Sequence, residues 1–137
     1  MTAISLRVLW VGILAGVVFA VLDGLLNANP LAQRLYSTYK PIMRESVNAP
    51  LGLAFDLISG LVMASLFVIL KPGLPGGFLV KGFSFGLIAW FFRVAMGVAA
   101  QSVMFKIPAS TLAYTLVTGL IEMTILGSLY GIALRGD

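Results

Sequence analysis

The sequence predicts an all-α integral membrane protein: an antiparallel four-transmembrane-helix bundle with a short amphipathic interfacial helix between spans one and two. Three observations predict it. Of the 137 residues, 60% are hydrophobic and only 10% are charged, against roughly half and a quarter in soluble domains. The mean hydropathy is +1.05. A chain this short cannot hide so much apolar surface from water, so the remainder must face lipid or another protein. The apolar residues also collect into four runs, each near the ~20 residues that cross a hydrocarbon core. Finally, breakers stand between the runs: Asn29-Pro30, the Pro- and Gly-rich stretch 71–77, and Lys106-Ile107-Pro108. A membrane β-barrel would alternate in polarity over segments of about ten residues, whereas these runs are continuous.

The elements follow in order within a single membrane domain, residues 1–137. The first span covers about 4–26. It is longer than the apolar part of a signal peptide and no A-x-A site follows it, so it reads as an uncleaved helix. Residues 30–45 form the interfacial segment. Asn29 suits an N-cap and Pro30 the first helical turn. Leu31, Leu35, Tyr39 and Ile42 fall near one face, and Gln33, Arg34, Ser37 and Lys40 fall elsewhere, the pattern of a helix lying in the headgroup layer. An ordinary loop anchored by tyrosines is the alternative. The second span covers about 51–70, the third 79–104 and the fourth 109–134. Short breakers force neighbouring helices to run antiparallel, and an even number of spans puts both termini on one side.

Orientation is weakly specified. Arg7, Lys71, Lys81 and Arg135 lie on the terminal side, and Arg34, Lys40, Arg44 and Lys106 on the other. The positive-inside rule barely decides between four and four; the lysines beside the second breaker favour cytoplasmic termini. In general look the chain resembles small bacterial four-span proteins, which implies a bacterial inner membrane. That resemblance lends no residue roles.

Each span carries small residues at helical spacing. The rows are Gly12, Gly16, Ala20 and Gly24; Gly52, Asp56, Gly60 and Ala64; Gly82, Gly86, Ala89, Arg93, Gly97 and Ala100; and Thr111, Thr115, Gly119, Met123, Gly127 and Gly131. Such rows let helix backbones approach closely, where dispersion and interhelical hydrogen bonds replace the missing hydrophobic drive. They imply a compact bundle, or packing against partner helices.

Away from the terminal-side ends, where Arg7 and Lys81 lie, each span also holds one charged residue: Asp23, Asp56, Arg93 and Glu122. At about 1.5 Å per residue, Asp23 is expected near the loop-side surface and Asp56 roughly 8 Å deep. Arg93 and Glu122 are expected near the middle. A mid-bilayer charge costs at least about 2.5–3.5 kcal/mol, so these groups should face inward. Arg93 is expected to pair with Glu122, with Asp56 or with both, because its planar fork serves two carboxylates. The acids outnumber the base, so a retained proton, an outside cation or a partner's basic side chain must complete the set. The Thr111, Thr115, Thr118 and Glu122 stripe reads as hydrogen bonding to i−4 carbonyls before it reads as a permeation path. Trp10, Tyr36, Tyr39 and Tyr130 read as interface belts.

The sequence contains no His and no Cys. This excludes His- or Cys-ligated haem, metal or pigment and thiol or imidazole catalysis. No phosphate-binding, nucleotide-binding or hydrolase motif is present, so no catalytic residue and no metal site are assigned. Bound lipid, quinone or carotenoid stays compatible with the composition. The net charge of +4 is spread along the chain without the clustered face that nucleic acid requires, so the bilayer is the expected partner, together with other membrane subunits or a second copy. The favoured expectation is a non-catalytic accessory or structural subunit of a larger membrane complex. The alternative is a proton- or cation-coupled small-solute transporter or channel, working as a homo-oligomer through Glu122, Asp56 and Arg93. A lipid- or quinone-acting enzyme or binder ranks third.

Overall fold

The structure is a computed structural model that describes residues 2–42 and 49–134; Arg44 and Arg135 fall outside the described residues. The described residues are all-helical, with no strand. Four stretches are long and apolar enough to cross a membrane: Leu6–Asn27, Ala49–Gly73, Phe78–Met104 and Ala109–Ala133. These match the four predicted runs to within a few residues.

Two tight helix pairs build the bundle. α1 (Thr2–Asn27) packs along α3 (Ala49–Leu70), and α4 (Phe78–Trp90) packs along α6 (Ala109–Ala133); α1 also lies against α6 and joins the pairs. Glycine makes both seams. A Cβ at Gly16 would sit 2.6 Å from Leu57 Cα, and one at Gly60 would sit 2.8 Å from Gly16 Cα. In the second seam Gly82 and Gly127 each face the other's carbonyl oxygen, and a Cβ on Gly86 would lie 2.6 Å from Met123 O. Carbon atoms do not approach that closely without repulsion, so only glycine lets these backbones touch. Gly12, Gly119 and Gly131 also meet a neighbouring helix. Gly24, Gly52 and Gly97 do not: nothing lies within 4 Å of a Cβ built on them. The predicted rows therefore hold around the middle of each seam and fail away from it, as expected of helices that cross at an angle and diverge.

The third span departs from its predicted spacing. A π-helical turn, Phe91–Ala95, separates α4 from α5 (Met96–Met104). A π turn adds one residue to the local repeat. Beyond it the face toward α6 is taken by Val94, whose methyls press on Gly119, while Val98 is buried. Arg93 and Gly97, the residues that regular spacing places on that face, are exposed instead.

The interfacial helix is shorter than predicted. α2 (Pro30–Leu35) begins at Asn29, whose Oδ1 accepts from Ala32 N at 2.9 Å. It gives way to a 3-10 turn over Tyr36–Ile42. Pro41 lies inside that turn and has no N–H to return to the Ser37 carbonyl, so a regular α-helix cannot continue. Leu31 and Ile42 are exposed while Ala32 is buried, so the apolar face is not the one turned inward.

The core joins both pairs through aromatic rings. Phe67 of α3, Phe85 of α4 and Tyr130 of α6 stack and edge together with centroids 5.4–6.1 Å apart. Tyr130 is fully buried and its hydroxyl donates to Gly60 O at 2.8 Å. The interface-belt reading is thereby corrected for this tyrosine: the neighbouring ring edges and a spare carbonyl lone pair satisfy it inside the bundle. Trp10 remains outward, 65% exposed.

Candidate functional site

The acids converge, and the base lies near them without an ion-pair contact. Asp23 on α1 lies within interaction distance of both Asp56 on α3 and Glu122 on α6. From its place near the loop-side end of α1 it reaches them through side-chain direction. The Cα–Cβ bond tilts toward the helix N-terminus. α1 and α6 run antiparallel, so Asp23 leans deeper while Glu122 leans back toward the interfacial segment, and the two meet. Asp56, near the start of α3, leans the same way as Glu122. Glu122 is 6% exposed, and its Oε2 has no hydrogen-bond partner.

Arg93 does not close the expected ion pair. Neither Asp56, Glu122 nor Asp23 comes within 4.0 Å of its guanidinium nitrogens. The guanidinium carbon instead sits 4.5 Å from the ring centroid of Phe19, a buried side chain on α1. The cause is the π turn, which moves Arg93 off the α6 face, where Glu122 is buried. A cation over an aromatic face gains roughly 0.5–2 kcal/mol depending on desolvation. That leaves the N–H groups at the guanidinium edge without a carboxylate.

Beside Arg93 the bundle is open. A cleft of about 430 Å³ lies between α3 and α4, lined by Met63, Leu66, Phe85, Ile88, Phe92 and Arg93 among others. Its walls are hydrocarbon except for the one guanidinium. The two helices that flank it each pack on a different neighbour, α3 on α1 and α4 on α6, which is why no described side chain fills the gap.

At the opposite end a hydroxyl network ties the interfacial segment to α6. Thr111 Oγ1 donates to Leu35 O at 2.5 Å, and the Tyr36 hydroxyl and Thr115 Oγ1 lie 3.0 Å apart. Asn29 Nδ2 donates to the Tyr114 hydroxyl at 3.0 Å, and that hydroxyl donates to Leu26 O. Tyr39 donates to Gln101 Oε1 at 2.8 Å. Burial pushes the Tyr36 hydroxyl above its ordinary 10.0, with the Thr115 hydrogen bond pulling the other way. Thr115 and Thr118 also bond the carbonyls four residues back, Thr111 O and Tyr114 O, as the stripe predicts. The tyrosine ties went unread in the sequence. Their signal was the 3-residue step from Tyr36 to Tyr39, facing a threonine stripe of helical period.

Among the described residues no group of three or more acidic side chains is arranged to hold a metal ion. Comparison with protein-family models, curated proteins and solved structures finds no match to the chain.

Proposed function

We propose that this chain is a non-catalytic subunit of a larger membrane assembly, inserted through its four apolar helices, with both termini in the cytoplasm of a bacterium. The observation that carries this reading is Arg93: an exposed residue in the middle of an apolar helix, beside an unfilled hydrocarbon cleft. A cation so placed is costly in lipid unless something covers it. Gly24, Gly52 and Gly97, at contact spacing but touching no described helix, add seats for a neighbour. The test is native mass spectrometry on the tagged chain, extracted from its own membranes in mild detergent. The expected result is a hetero-complex of fixed stoichiometry with another membrane protein. A chain that runs only as monomer or homo-oligomer overturns the reading.

A second reading rests on a different observation, the buried Glu122 oxygen without a partner. Under it the chain is a proton- or cation-coupled transporter working through Glu122, Asp56 and Arg93. Glu122→Gln separates the two. As a subunit the variant assembles normally; as a transporter it folds but loses ion-coupled flux in proteoliposomes.

A further inference from the structure

We propose that the cleft between α3 and α4 seats a transmembrane helix of another protein, one that carries a carboxylate level with Arg93. This rests on the subunit reading above and names the place and chemistry of the contact.

Arg93 supplies the charge argument. Its guanidinium presents five N–H donors, and the Phe19 ring takes only a face of the plane. Among the described residues Asp56 and Glu122 gather around Asp23 and lie within electrostatic reach of Arg93, but none of the three comes within 4.0 Å of its nitrogens. A carboxylate matches the free edge with two parallel hydrogen bonds. Neutral acceptors bring no counter-charge to hydrogen-bond distance.

Position along the helix decides the source of that carboxylate. Arg93 lies fifteen residues beyond Phe78 and eleven before Met104, about 22 Å and 16 Å along the axis. Both exceed what an arginine side chain reaches, so a lipid headgroup at either surface is not its complement. A side chain on a helix running through the same depth is. A second copy docked two-fold through the same cleft does not supply it, because that contact sets Arg93 against Arg93; a second copy docked through another face is an outcome the test separates. The lining then describes the rest of the partner. Met63, Leu66, Ile88 and Phe92 offer an apolar, deformable wall, with methionine adapting to the knobs of a Leu- or Ile-bearing helix.

The test places a photoreactive side chain at Ile88, inside the cleft, and at Val117, an exposed position of α6 outside it. The full chain is irradiated in its own membranes and the adducts are sequenced. The expected result is one protein cross-linked from Ile88 and not from Val117, through an apolar segment containing Asp or Glu. Arg93→Gln should lower that yield at least tenfold. Arg93→Lys, which keeps the charge, should lower it less. Arg93→Glu should be rescued by Arg at the partner's acidic position. Monodispersity in detergent identifies any variant that fails to fold, and the Lys variant with the charge swap then decides. Adducts with lipid only, with a second copy, or with a segment lacking an acid overturn the proposal. So does a yield indifferent to Arg93. If a hetero-complex persists while the Ile88 adduct is absent, the site is wrong and the subunit reading stands. If no hetero-complex forms, both fall.

Discussion

The two halves of the third span begin from the same sequence pattern and end in opposite places. In α4, Gly82 and Gly86 are pressed against the backbone of α6. In α5, Gly97 continues the same period of threes and fours yet touches nothing, while Val98 next to it is buried. The π turn between them accounts for the difference. One added residue rotates everything beyond it by about 100°, because successive residues are spaced at 3.6 to a turn. The same turn sets Arg93 at the edge of a cleft, with its guanidinium over the Phe19 ring and not against Glu122. Small-residue spacing thus predicts contact only as far as the helix stays regular.

The largest expected effect comes from putting side chains into the two halves. Gly82→Leu forces the seam with Gly127 apart and should cost ~3 kcal/mol or more. Gly97→Leu should stay within about 0.5 kcal/mol, as surface changes usually do. Unfolding of both variants in mixed detergent micelles by increasing SDS measures the pair, and equal losses would break the comparison. Next comes deletion of Phe92, which removes the added residue. It should turn Arg93 and Gly97 toward α6 and carry Val94 off Gly119. The chain has no cysteine, so a single Gly97→Cys reports the rotation: thiol labelling should be fast in the parent and slow in the deletion variant.

A smaller effect sharpens the packed half. Tyr130→Phe keeps the ring among Phe67 and Phe85 and removes only the bond to Gly60 O. The expected loss is about 1 kcal/mol; a much larger one would mean that the hydroxyl holds the two helix pairs together.

The smallest belongs to the open half, which the interfacial segment braces through Tyr39 and Gln101 and, next to it, through Tyr36 and Thr115. The Tyr36 hydroxyl is raised above 10.0, so the fold favours its neutral form. The stability it adds is present below pH 10.0 and is lost as pH rises through the folded value. Hydrogen exchange of residues 30–42 should therefore accelerate in strong alkali. Tyr36→Phe should make that acceleration smaller, since the ionisable group is gone.

Much of the fold was legible in the sequence because its determinants are local. Run length, breakers and Asn29 with Pro30 each act over a few residues, and the four helices and the α2 cap follow from them. The glycine seams were legible where helix geometry is ideal, as at Gly16, Gly60, Gly82 and Gly127. The interfacial α-helix stops short of its predicted length because Pro41 has no N–H for the Ser37 carbonyl. The acidic cluster was legible in its members but not in its geometry. Depth along an axis fixes the Cα, whereas the carboxyl lies a side chain away in a direction set by the strand sense of its helix.

By itself the sequence determined that four apolar helices form and which few polar groups they must accommodate, since hydropathy and backbone hydrogen bonding in lipid leave no other economical structure. Only the tertiary structure decided which of those groups meet. The π turn, the antiparallel lean of Asp23 toward Glu122 and the buried bond of Tyr130 arise between helices. Rotation of a helix about its own axis is fixed by what packs against it, and no short stretch of sequence encodes that angle.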